Sequence, residues 1–296
     1  MDIEIEGLHK IYPNGHAAIR NVNLQIGSGM FGLLGPNGAG KSSFMRILVT
    51  VQKASKGTIR MNGMDINKDR KKIRPLIGYL PQDFTFFSKL KTWEFLDYAA
   101  RLSTPLKKKE RLKKVDSLLD QVGLLDVRER MANKLSGGMK RRLGIAQALI
   151  GEPKLLVIDE PTTGLDPEER IRFRNILSDL SQKNVTIILS THIVGDISST
   201  CHNMAMLNKG EVAFKGSPEG MIDQVRGHVW QVVLEDDEFN DLKTKYPVVS
   251  TIPTEGKWEA QLIATDKPHP EAENANPNLE HAYVYFMENE LGVSLV

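Results

Sequence analysis

The stretch Gly35-Pro36-Asn37-Gly38-Ala39-Gly40-Lys41-Ser42-Ser43 constrains this chain more than any other, because it fits G-x-x-x-x-G-K-[ST] at a point where a strand gives way to a helix. Met30 to Leu34 reads as a short apolar strand before it. Behind it, Phe44, Ile47, Leu48 and Val51 recur at i, i+3, i+4 and i+7, as one face of a helix does. Glycines in such a loop let backbone N–H groups converge on phosphate oxygens, and the helix start adds its positive end at the same point. Lys41 is expected to reach β- and γ-phosphates, Ser42 to ligate Mg2+ and Ser43 to bond another phosphate oxygen.

The remaining motifs read as serving a triphosphate placed there. Ile3 to His9 and Ala17 to Ile26 alternate apolar and polar residues, which predicts an antiparallel hairpin turned at Pro13-Asn14-Gly15. Tyr12, just before that turn, offers a flat face on which an adenine can stack. His16, His202 and His269 have no placement that suggests a site role. Ile77 to Leu80 is an apolar strand stopped by Pro81, and Gln82 beyond it is expected to touch Mg2+ or an attacking water. Leu155 to Ile158 is a fully buried, parallel-type strand ending in Asp159 and Glu160, to which we assign a metal role and a general-base role. Val185 to Ser190 is a second buried strand, and it delivers His192 to the same carboxyl edge. Ser136-Gly137-Gly138 starts another helix. An ordinary N-cap explains that triplet taken alone, but a second anion-binding helix start fits it equally.

Residues 84–150 read as a helical insertion, with Val115, Leu118, Leu119 and Val122 on one apolar face. Beyond Gly216 the pattern breaks, giving a domain over 1–216 and a small α+β unit over 217–296. In that unit we expect strands at Val229 to Leu234 and Gln261 to Ala264, helices near Glu238 to Tyr246 and from Pro277 onward, and a mobile polar loop over Thr265 to Pro277. Composition narrows the function. Lys+Arg 39 against Asp+Glu 37 leaves a net charge of +2, which argues against a nucleic-acid partner. The single cysteine, Cys201, excludes an internal disulfide and fits a reducing cytosol. No run of 18 apolar residues and no apolar leader occur, so the chain is expected to be cytoplasmic.

Taken together in this order, these motifs resemble the nucleotide-binding domain of ATP-binding cassette (ABC) proteins over about residues 1–216. GPNGAGKSS is similar to Walker A, Gln82 to the Q-loop, LSGGM to the signature, LLVIDEP to Walker B, Gly164-Leu165-Asp166 to the D-loop, His192 to the switch histidine and Tyr12 to the A-loop aromatic. One departure is Met139, where the family's signature usually has Gln. The resemblance implies a P-loop NTPase cassette: a RecA-like α/β core with an antiparallel β subdomain and a helical insertion. It also implies ATP and Mg2+ as cofactors, and head-to-tail pairing with a second cassette, a homodimer in the first instance. Each ATP would then lie between Walker A of one chain and Ser136, Gly137, Gly138 and Asp166 of the other. The expected partner is a separate membrane permease, with the chain peripheral on the inner face of the cell membrane. The 217–296 tail, with Asn278-Leu279-Glu280-His281-Ala282-Tyr283, resembles the accessory segment of exporter-type cassettes served by ABC-2-type membrane proteins. A soluble, non-transport ABC ATPase acting on a macromolecular complex is the alternative. Ribosomal members resemble tandem cassettes and DNA-repair members carry long coiled-coil insertions, and this chain has neither.

Overall fold

Period-two alternation places one face of each N-terminal strand in a core, and the computed structural model, which describes residues 1–85 and 89–290, pairs them accordingly. β1 (Ile3–Ile11) and β2 (Ala17–Ile26) form the expected antiparallel hairpin, with Ile3 opposite Ile26. β3 (Met30–Leu34) is buried throughout and runs into the glycine loop and α1 (Lys41–Leu48). β4 (Lys56–Met61) and β5 (Met64–Asp65) complete a four-stranded sheet in the order β2-β1-β4-β5. Its apolar face shares one core with α1, through Ile3, Ile5, Val22, Leu24, Phe44 and Leu48.

Helix α1 is shorter than its apolar repeat suggests. It ends at Leu48, and Val51 is 62% exposed. The cause is Thr50, a buried β-branched residue held at φ 60, whose carbonyl accepts from the Arg70 guanidinium and whose hydroxyl accepts from Arg74 Nε at 2.8 Å. Arg70 and Arg74 sit on and just after α2 (Arg70–Ile73).

The second sheet carries the site. β6 (Ile77–Leu80), β7 (Leu155–Asp159) and β8 (Thr186–Thr191) run parallel to one another and to β3; with β9 (Asn203–Asn208) and β10 (Glu211–Gly216) the order is β10-β9-β3-β8-β7-β6. Register aligns the strand ends: Leu34 lies opposite Thr191, Asp159 opposite Ser190 and Leu80 opposite Ile158. The loops that follow β3, β6, β7 and β8 therefore leave one carboxyl edge, where open α/β sheets bind ligands.

Between β6 and β7 stand α3 (Thr92–Ser103), α4 (Lys108–Gln121) and α5 (Gly137–Leu149), the expected helical insertion; residues 86–88 of that interval lie outside the described residues. Beyond β7, α6 (Pro167–Ser181) begins with Asp166 as its cap, and α7 (Val194–Ser198) follows β8. Packing divides the chain into two units, Met1–His192 with Ala205–Val212, and Ile193–Met204 with Ala213–Val296.

In the second unit, α8 (Pro218–Asp223) precedes β11 (Val229–Leu234), α9 (Asp236–Leu242), β12 (Val248–Thr254), β13 (Lys257–Ile263), β14 (Glu273–Asn274) and α10 (Leu279–Tyr285). The strands form an antiparallel sheet ordered β12-β13-β11-β14 over a core of Val232, Leu234, Leu242, Ala260 and Leu262. The stretch read as a mobile loop, Thr265 to Pro277, instead contributes β14, and Ala272 within it is 2% exposed. β12 was not expected. It is an exposed edge strand with little apolar alternation.

A buried ion pair fastens α3 to α4. Asp97, 4% exposed, accepts from Arg111 Nε at 2.6 Å and from Arg101 Nε at 2.8 Å. Burial raises the Asp97 pKa, but the two guanidinium groups outweigh it and hold the carboxyl below its ordinary value. Its folded-state pKa being depressed, its contribution is complete above the unfolded value of about 4 and disappears as pH falls through the lower folded value. Asp97→Asn is therefore expected to cost about 3 kcal/mol at pH 7, in the range for breaking a buried pair. It should also flatten the loss of stability below pH 4, as followed by urea unfolding across pH. An acid limb identical to that of the unaltered chain would contradict this.

Candidate active site

At Gly35 and Gly40 the glycine loop is shaped by contacts that leave no room for a side chain, a Cβ at Gly35 falling 2.3 Å from the Leu207 carbonyl oxygen. Gly40 caps α1 at φ 103, where a Cβ would stand 2.3 Å from the Ala18 carbonyl oxygen. The turn after β9 braces the loop from the other side, Gly210 N donating to Ala39 O at 3.0 Å. Lys41, 4% exposed, lies folded back on the loop, its Nζ donating to Gly35 O at 2.7 Å and Pro36 O at 3.1 Å.

The same Nζ lies 3.3 Å from Glu160 Oε1. Glu160 is buried and sits at φ 45 where β7 ends, a left-handed conformation that costs a non-glycine residue of order 1–3 kcal/mol and is held by its surroundings. Ser190 does much of the holding, because Glu160 N donates both to Ser190 O and to Ser190 Oγ at 3.1 Å. The Ser190 hydroxyl in turn donates to Asp159 Oδ1. On its other oxygen Glu160 accepts from Gln82 Nε2 at 3.3 Å, and His192 Nδ1 lies 3.2 Å away. That His192 nitrogen is buried and, though close to Glu160, makes no aligned hydrogen bond among the described residues.

The cleft, about 540 Å³, is lined by Asn37, Gly38, Gly40, Lys41, Ser42 and Ser43 on one side and by Gln82, Glu160, Thr163 and His192 on another. Tyr12, His16 and Ala18 line it as well. Tyr12 is tied to the loop helix, its hydroxyl 3.0 Å from Ser43 Oγ and donating to Gln52 Oε1 at 3.1 Å. The His16 ring lies 6.3 Å from that of Tyr12 and within 15° of parallel. His16 was not among the residues assigned to the site from sequence, having no place at a strand end. The hairpin turn, closed by Tyr12 N donating to His16 O, is what brings it back.

Of the other expected residues, Gly35, Pro36 and Ala39 of the loop and Asp159 beside Glu160 do not line the cleft, and Ser136, Gly137, Gly138 and Asp166 lie on elements outside it. Ser136 accepts from Met139 N at 3.2 Å as the N-cap of α5, and Asp166 accepts from Glu169 N at 2.8 Å as the N-cap of α6. Gly137 is exposed and Gly138 buried beside Ser136. Among the described residues no three His, Cys, Asp or Glu side chains gather as a metal cluster. The oxygen donors present, Ser42, Gln82 and Asp159, fit a hard cation that keeps waters and shares phosphate oxygens, as Mg2+ does. Ser190 and Thr163 were not singled out from sequence. A serine closing a buried strand beside Thr191-His192 is the signal that marks the first, whereas Thr163 is placed only by the fold.

Comparison with known proteins decides what the cleft belongs to. The family model described as ABC transporter matches residues 19–163. The uncharacterized ABC transporter ATP-binding protein YxlF of Bacillus subtilis (strain 168) is 36% identical over 84% of this chain and 82% of its own length. This chain belongs to the ABC transporter family, as an ATP-binding cassette. The cassette binds and hydrolyses ATP, and its fold agrees with the post-hydrolysis dimer of the cassette MJ0796 bound to ADP and Pi. That match has a TM-score of 0.67 and 25% identity, over 73% of this chain and 98% of that one. Among relatives named for a transport role, the methionine import ATP-binding protein MetN 1 of Oenococcus oeni (strain ATCC BAA-331 / PSU-1) is 35% identical over 72% of this chain and 63% of its own length. Among the described residues, no helix of the cassette is long and apolar enough to cross a membrane.

Ser190 supports both carboxylates of the cassette without lining the cleft. Ser190→Ala is expected to lower the turnover number by about ten- to a hundredfold while ATP affinity stays within about twofold, the cost of one charge-assisted bond of about 1.5–3 kcal/mol. Phosphate-release kinetics beside equilibrium ATP binding checks this; unaltered turnover would contradict it.

Proposed function

We propose that the cassette powers a membrane-spanning subunit carried on another polypeptide, by ATP-driven pairing with a second copy of itself. The observation that carries this is the meeting of Lys41, Gln82 and His192 on one buried carboxylate, Glu160, at the mouth of the phosphate loop. In this reading Lys41 and the loop N–H groups hold the β- and γ-phosphates, and Tyr12 stacks on the adenine. Ser42, Gln82 and Asp159 would hold Mg2+, which would supply positive charge to offset that of the phosphates. Glu160 accepts the proton of the attacking water, and Gln82 and His192 orient that water and the γ-phosphate. Ser136, Gly137, Gly138 and Asp166, which stand apart from their own chain's cleft, serve the ATP of the partner cassette, so one chain carries two anion-binding helix starts.

The direction of transport rests on the tail. Residues 217–296 read as an accessory domain of exporter-type cassettes, which favours an ABC-2-type exporter, with the cassette peripheral on the inner face of the cell membrane. The import role in the name of MetN 1 belongs to a relative that this chain covers over 63% of its length. Purification of the cassette from membranes with a polytopic protein encoded beside it supports this assignment. Recovery only with a soluble complex would overturn it.

Glu160→Gln removes the proton acceptor while keeping the size and hydrogen bonding of the side chain. Turnover is expected to fall about 10²-fold or more with ATP still bound. Size-exclusion of this variant in Mg-ATP should show a dimer, and a monomer at every ATP concentration would contradict pairing of identical cassettes.

A further inference from the structure

Arg142 of α5 and Glu169 of α6 form a largely buried ion pair that the active-site reading leaves unused. Their side chains are 4% and 16% exposed, and the pair is bidentate, Nε to Oε2 and Nη2 to Oε1 each at 3.2 Å. The third arm of the guanidinium, Nη1, donates at 2.8 Å to both Val122 O and Gly123 O, where α4 ends. One side chain thus ties together three segments. Glu169 is also the residue whose N–H is capped by Asp166, so its carboxylate is fixed to the turn that carries Asp166.

The carboxylate does more than meet Arg142. It packs against Gly138, where a Cβ would fall 2.4 Å from Glu169 Oε2 and 2.5 Å from Cδ. A side chain at Gly138 would therefore have to displace the Glu169 carboxylate from its place against Arg142. A buried ion pair is weak evidence for stability, since an apolar substitute often does as well, but a two-point fork allows one geometry. We propose that Arg142 and Glu169 are positioning residues. They set Ser136-Gly137-Gly138 at one distance from Asp166, so that both present a single surface to the ATP held by the partner cassette. This rests on the composite-site reading above.

Glu169→Gln, Arg142→Lys and the double variant, in the full chain, test it. Each should bind ADP, which uses the chain's own phosphate loop, within about twofold of the unaltered chain, while turnover falls roughly tenfold. In the Glu160→Gln background each should raise the protein concentration needed for ATP-driven dimerisation. The double variant should fall short of the sum of the two single effects, because both single changes remove the shared Arg142–Glu169 fork, while Arg142→Lys also disturbs the bonds to Val122 O and Gly123 O. Glu169→Gln, which keeps size and shape, carries the test if Arg142→Lys fails to fold. Normal turnover and dimerisation in Glu169→Gln would overturn the proposal, as would additive effects or loss of ADP affinity in step with melting temperature, which marks a fold staple. If Glu160→Gln alone does not pair in ATP, the composite-site reading itself falls, and that result is distinct from the others.

Discussion

A buried carboxylate cannot stay charged without partners, and the arrangement around Glu160 is the constraint on which the rest of the site depends. Its nearest cation is Lys41, drawn from the phosphate loop, so two motifs more than a hundred residues apart in the chain satisfy each other's charge. Gln82 and His192 complete the set from two further strand ends. Parallel register across β6, β7, β8 and β3 makes the meeting possible, because each strand stops at the same edge. A one-strand change in order would separate the four residues. The left-handed backbone at Glu160 is the cost of turning a side chain out of a strand end, and the Ser190 bonds offset part of it.

Much of this was legible in the chain itself, for a physical reason. Loops that bind phosphate need glycines at fixed offsets, and buried parallel strands are uninterrupted apolar runs, so carboxylates closing such a run stand out. The parts that were not legible depend on register and on side-chain partners. His16 is one exposed histidine in a turn until the hairpin lays its ring beside Tyr12. Thr50 ends α1 early because two arginines from α2 and its C-terminal flank reach its carbonyl and hydroxyl, which no local pattern announces. Ala272 and β14 hide within a polar stretch because a two-residue strand and a single small apolar residue carry no periodicity.

The signature segment shows how one residue type can satisfy several demands. Ser136 caps its helix as any N-cap serine does, while the Glu169 carboxylate lies in the space that a side chain at Gly138 would take. Asp166 likewise caps α6. Ordinary capping and contact with a partner's nucleotide are therefore compatible: the groups that an isolated cassette uses as caps are the ones the proposed pairing presents outward. Met139 contributes its backbone N–H to that cap, and its departure from the family's usual glutamine leaves the cap intact.

If Glu160 holds Lys41 before nucleotide arrives, phosphate has to compete with a carboxylate for the same ammonium group. Titration of Mg-free ATP against the unaltered cassette and Glu160→Gln measures that competition directly, since neither sample turns over without metal. Several-fold tighter binding by Glu160→Gln is the expected result. Weaker binding by Glu160→Gln, or affinity equal to that of the unaltered cassette, would contradict the central role given to the Lys41–Glu160 contact.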